Sequence, residues 1–147
     1  MSAGRKSTAA LDRAAQIIAG AIGCEVLRTP IGADDGEEEQ YSGVRLVGAL
    51  SEGPQVETGY CMGASQPYEF EHTAALELIS AEGTAEERRA IIEAAIIADG
   101  DAIDSDPTLG GLVDDAVLEE PDPDLADRYH GVEATLRLTF TAPTALG

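Results

Sequence analysis

The sequence predicts an α+β fold: a mostly antiparallel or mixed sheet of about four to five strands, flanked by two long helices and one short helix. Two stretches, "YEFEHTAALEL" from Tyr68 and "VEATLRLTFT" from Val132, alternate apolar and polar residues, as half-buried strands do. Two others, from Ser7 to Ile22 and from Thr84 to Gly100, repeat apolar residues at helical spacing. Gly- and Pro-rich punctuation separates these blocks. One domain spanning residues 1–147 is expected from a chain of 147 residues.

Taken in order, the first helix carries Leu11, Ala14, Ala15, Ile18 and Ile22 on one face, with Ser7 or Thr8 able to cap its amides. Gly23 stops it, and "CEVLRT" reads as a short strand ended by Pro30. Residues 30–43, acidic and without period, read as a mobile loop. "VRLVGAL" and "VETGYCM" flank the turn-like "SEGPQ" and predict a hairpin. After "GASQP" comes the long strand with Tyr68, Phe70, His72, Ala74, Leu76 and Leu78 on one face. The second helix starts at a Thr84/Glu87 capping box, buries Ile91, Ile92, Ala95 and Ile96, and is expected to end at Gly100. A short strand is expected at Ala116 to Glu119, inside an acidic segment, 114–131, whose Pro-Asp-Pro opposes regular structure. The last strand puts Val132, Ala134, Leu136, Leu138 and Phe140 opposite polar partners.

Charge narrows the function. With 28 Asp and Glu against 9 Lys and Arg, the formal charge of −19 works against gripping a phosphate backbone, which needs cations to displace counterions. Solubility explains such acidity without any special device. With no Trp, two Phe and four Tyr, the core must come from Ala, Leu, Ile and Val, so burial between copies is an attractive supplement. Cys24 and Cys61, far apart in sequence, read as buried thiols of a reducing compartment, not as a disulfide framework. No stretch has the apolar length of a membrane span, and "MSAGRKSTAA" lacks a signal-peptide block, so a soluble protein made in a cytoplasm and free of membrane is expected.

Candidate chemistry is thin. Asp99, Asp101, Asp104 and Asp106 invite a calcium reading, but an EF-hand counted from Asp99 would need Gly where Asp104 stands and Glu where Gly110 stands. His72, on the apolar face of a strand, reads as a core residue, and His130, at a loop junction, as an exposed one. No elbow or nearby cation activates either cysteine, and no phosphate-binding loop occurs. No enzyme, cofactor or metal is therefore expected. A small enzyme built on a Cys/His pair or an aspartate-bound metal stays open as an alternative, as does an acidic decoy for a basic nucleic-acid-binding surface.

"SDPTLGGLVDDA" poses a sharper question. Asp106 can cap, Pro107 suits a first helical turn, and Leu109, Leu112 and Val113 can bury, yet Gly110 and Gly111 each weaken a helix by about 1 kcal/mol. A short helix that exists only when docked, or a plain loop, both satisfy this. The segment follows an Ala/Ile-rich helix and precedes an acidic stretch and a strand ending "TFTAPTALG". In that setting it resembles the tail terminator (tail-completion) proteins of long-tailed bacteriophages and gene-transfer particles. The opening helix, "VLRTP", "YEFEHTAALEL" and "EERRAIIEAAI" agree in order, over most of the chain. The acidic "GADDGEEEQ" and the Pro-Asp-Pro segment depart from the pattern.

The resemblance implies a mixed sheet flanked by helices, assembled in the host bacterial cytoplasm into a homo-oligomeric ring, a hexamer, of the virion. Such a ring caps the tail tube and meets the head connector, or serves as another ring of the neck, while DNA passes through without being held. On that basis Thr108, Leu109, Gly110, Gly111, Leu112 and Val113 are candidate contacts between neighbours. Asp34, Asp35, Glu37, Glu38, Glu39, Asp122 and Asp124, in the two long acidic segments, are candidates for the lumen or the adjoining rings.

Overall fold

The computed structural model describes residues 6–28, 45–60, 68–81, 83–119, 122–125 and 130–143. Helix α1 (Lys6–Ile22) leads through β1 (Val26–Leu27) to two long strands, β2 (Val47–Tyr60) and β3 (Tyr68–Ser80). Helix α2 (Ala85–Ser105) then connects to β4 (Asp115–Leu118), β5 (Asp122–Leu125) and the closing strand β6 (His130–Ala142). The six strands form one sheet in the order β1-β2-β3-β6-β4, with β5 also on β6. Only β1 and β2 run parallel, so the sheet is mixed, and with two long helices the fold is α+β, as the alternation and periodicity predict.

Strands β3 and β6 are the spine. Thirteen residue pairs, from Tyr68↔Ala142 to Ser80↔His130, join them without a register break. Phe70, Ala74, Leu76 and Leu78 of β3 and Val132, Ala134, Leu136, Leu138 and Phe140 of β6 are buried on one face. Phe70 and Phe140 stack there with centroids 5.5 Å apart. Against that face lie Leu11, Ala14 and Ile18 of α1 and Ile92, Ala95 and Ile103 of α2, in one apolar cluster. These spacings of three, four and eight keep each stripe on one side of its helix.

Several local expectations are corrected. "SEGPQ" is no turn: β2 runs straight through it, and its register against β3 shifts between Glu52 and Gln55. Gly53 and Pro54 form this irregularity, and only glycine fits, since a Cβ at Gly53 would stand 2.7 Å from the Thr73 carbonyl oxygen. Gly100 does not end α2, which continues to Ser105, its next turn burying Ile103 in the core. Ser7 and Thr8 lie inside α1 instead of capping it. The expected "CEVLRT" strand reduces to Val26–Leu27, and the last strand starts two residues early, at His130. Pro-Asp-Pro does not exclude a strand: β5 contains Pro123, which pairs with Val132 at the sheet margin, where a missing N–H can face outward. The capping box of α2 is as expected, with the Glu87 amide donating to Thr84 Oγ1 at 3.2 Å. "GASQP" lies outside the described residues.

Candidate functional site

The expected short helix around the double glycine is a run of hydrogen-bonded turns. Asp106 closes α2, its amide donating to the Ile103 carbonyl at 3.1 Å. The Leu109 amide donates to the Asp106 carbonyl at 3.0 Å, and the Gly110 amide to Asp106 Oδ1 at 3.0 Å. Thr108 holds the second half, its carbonyl accepting from Gly111 at 3.0 Å and from Val113 at 3.1 Å. Leu109, Gly110 and Gly111 all have left-handed φ, at 50°, 71° and 89°. Here the glycines have a purpose: they turn the chain back to β4, a path an L side chain resists. Leu109 accepts the same conformation because its side chain is wholly buried in the core.

This geometry divides the six candidate contact residues. Leu109 and Val113 belong to the chain's own core. Thr108, Gly110 and Gly111 are exposed and Leu112 is half-buried, so a neighbour can reach only those four. Of the acidic candidates, Asp34, Asp35, Glu37, Glu38 and Glu39 lie outside the described residues. Asp122 and Asp124 stand in β5, an edge strand where the sequence reading expects a loop.

The sheet face away from the helices is polar. It carries Glu69, Glu71, Thr73 and Glu77 of β3 beside Glu133, Thr135, Arg137, Thr139 and Thr141 of β6. Arg137 bridges two strands, its Nε donating to Glu119 Oε1 at 2.5 Å while Nη1 pairs with Glu71. The Glu119 hydrogen bond, foremost, raises its pKa still further. Among the described residues no element lies over this face.

The two margins of the sheet differ. Beyond Ala49, the outer side of β2 has no pairing partner among the described residues, and Val56 there is 56 % exposed. The opposite margin is assembled from β4 and β5, lying end to end along β6 and bearing Asp115, Val117, Asp122, Pro123 and Asp124. The proline in β5 lacks a backbone N–H, which blunts such a margin against further pairing.

A groove of about 280 Å³ opens where the end of α1 meets the first half of α2, lined by Ile22, Leu46, Ile91, Ala94 and Ala98, with the exposed Arg45 also on its wall. Close by, Asp99 is fully buried in the inner stripe of α2, and neither carboxylate oxygen has a hydrogen-bond partner among the described residues. Burial pushes its pKa up to about 7. Composition gave no sign of this, because a helical stripe is read from its apolar members and Asp99 interrupts it.

The remaining candidates behave mostly as packing. His72 is buried on the core face, with Nε2 3.7 Å from Glu52 Oε1, an ion-pair distance only when the imidazole is protonated. Cys24 is half-buried, and its pKa is raised, first by burial and then by Asp99, with Arg45 opposing. A nucleophilic thiol requires the opposite shift. Asp101 and Asp104 are exposed on α2, apart in burial from Asp99, and no metal-holding group of three His, Cys, Asp or Glu occurs among the described residues. Cys61 and the His130 side chain fall outside them. No described helix is long and apolar enough to cross a membrane.

The fold and these surfaces define an α+β chain with an open mixed sheet and two unlike margins. No protein-family model matches it. No curated protein matches it either. Among solved structures, it is similar to a chain in the virion of a native gene transfer agent particle, at 14 % identity and a TM-score of 0.48, over 91 % of this chain and 93 % of that one.

Proposed function

We propose that this chain is a structural protein of a phage-like virion, building a ring that caps the tail tube and joins it to the head connector. The observation that carries this reading is the pair of unlike sheet margins: the outer side of β2, which has no pairing partner beyond Ala49 among the described residues, and the opposite side built from β4 and β5. Two different surfaces on opposite sides of one subunit suit a head-to-tail contact, and repeated head-to-tail contacts make a ring when the rotation between copies closes. A two-fold contact would instead need a self-complementary patch. The resemblance of "SDPTLGGLVDDA" and its surroundings to tail terminators supplies the tube and the connector as partners, and six as the ring size.

Charge supports the rest. A wall carrying −19 per copy repels phosphate, so DNA crosses the lumen without being held. Residues 30–43 and the β5 acids Asp122 and Asp124 are assigned to that lumen or to the adjoining rings, and the exposed Thr108, Gly110 and Gly111 to subunit contacts. None of these roles requires a reaction, a cofactor or a membrane.

The test is direct. Purified full-length protein mixed with isolated tail tubes should give rings at one tube end in electron micrographs, with a mass corresponding to six copies. Particles assembled without the protein, yet showing tubes of normal length joined to filled heads, would overturn the reading.

A further inference from the structure

The groove beside α2 combines apolar walls with a cation that has no ion pair among the described residues. Ile22, Leu46, Ile91, Ala94 and Ala98 supply the walls, and Ile97, 63 % exposed, extends the apolar surface one turn beyond Ala94. Arg13, Arg28 and Arg137 each hold a carboxylate. Arg45 holds none among the described residues, in a chain whose acids outnumber its cations 28 to 9.

The complementary surface stands at the other end of the same strand. Val56, 56 % exposed, projects from the polar face of the sheet, where it pairs in register with Glu71. Glu69 lies two residues along β3 on that face, its carboxylate reaching over Gly59: a Cβ at Gly59 would stand 3.2 Å from Glu69 Oε2. Glu71 is occupied by Arg137, whereas Glu69 holds no ion pair among the described residues. An apolar knob with a carboxylate beside it therefore matches an apolar groove with a guanidinium beside it. From Leu46 to Val56 is about 30 Å of extended strand, too far for one copy to dock on itself.

We propose that the groove at Arg45 is the socket for the Val56/Glu69 end of the β2–β3 pair of a second copy. Val56 enters between α1 and α2, and Glu69 pairs with Arg45. Socket and knob are different surfaces of each copy, so each copy gives to one neighbour and receives from the other, a head-to-tail contact that makes a ring when the rotation between copies closes. The inference rests on the ring reading and specifies which surfaces meet: both lie on the β2 side of the subunit, so the β4/β5 side is left for the lumen or the adjoining rings.

Full-length V56C/A94C protein in a C24S/C61S background, assembled on tail tubes and oxidised, tests it, because a disulfide needs the two Cα atoms within about 7 Å. The expected result is a ladder of covalent multimers extending to the full ring. Monomers alone, or dimers without larger species, would overturn the proposal. A charge exchange supplies a second readout: R45E alone should weaken assembly about tenfold and R45E/E69R should restore it, with thermal melts verifying that both fold. Unchanged assembly by R45E would also overturn it. Micrographs separate the two readings: rings without cross-links leave the ring standing and remove this contact, and tubes without rings remove both.

Discussion

The middle of the sheet and the far half of β2 share one hydrogen-bonded ladder but live in different surroundings. Every second residue of β3 from Phe70 to Ser80 is buried, and so is every second residue of β6 from Val132 to Ala142. From Ser51 to Gly59, β2 buries none. Pairing with β3 continues to Tyr60, so the ladder alone does not make an interior. What makes one is the pair of helices above. Where they end, the strand remains a strand but its side chains stay available to another surface.

The sharpest way to break the contrast is at its centre. Phe140→Ala removes a fully buried ring stacked on Phe70 and should cost about 3 to 5 kcal/mol, measured by denaturant unfolding. A cost under 1 kcal/mol would mean that the middle is no better packed than the margin.

The interior also contains one residue that violates its own pattern. Asp99 is buried without a hydrogen-bond partner among the described residues, at about 7 instead of the ordinary 3.8. Because the folded value is the higher one, the neutral carboxyl's contribution is whole below about pH 3.8 and is lost as pH rises through about 7. Asp99→Leu should therefore stabilise the protein by about 1 to 4 kcal/mol at pH 8 and by much less at pH 4. Unfolding curves of the two proteins across that range give the difference directly, and a difference independent of pH would contradict the assignment.

Smaller effects belong to the margin. Gly53→Ala forces a methyl against the Thr73 carbonyl and should cost about 1 to 3 kcal/mol by thermal unfolding, because backbone cannot yield as a side chain end can. Val117→Lys, on the 45 % exposed β4 position, should change stability by less than about 0.5 kcal/mol in the same assay. A large loss there would show that this margin is already packed and would erase the contrast.

Much of this arrangement is legible in the residues. Strands β3 and β6 alternate without error, and the Thr84/Glu87 box announces α2, because local hydrogen bonding and one-sided burial leave a period in the chain. The candidate contacts at the double glycine were half legible. Their turn was signalled by Gly110 and Gly111, but the inward direction of Leu109 and Val113 depends on a left-handed backbone that no period records. The groove left no signal at all, since Ile22, Arg45 and Ala94 are distant in sequence.

The sequence by itself determined the types of α1, β3, α2 and β6, the α+β class and the apolar face of each of these long elements, since these follow from periods of two and of three to four residues. Tertiary structure alone decided that "SEGPQ" continues a strand, that Pro123 joins a sheet margin, and that Asp99 is enclosed. Each of these depends on what lies across from the residue: the Thr73 carbonyl, the β6 backbone, and the packed helices, respectively. Neighbours brought together by folding from distant parts of the chain leave no periodic trace in it.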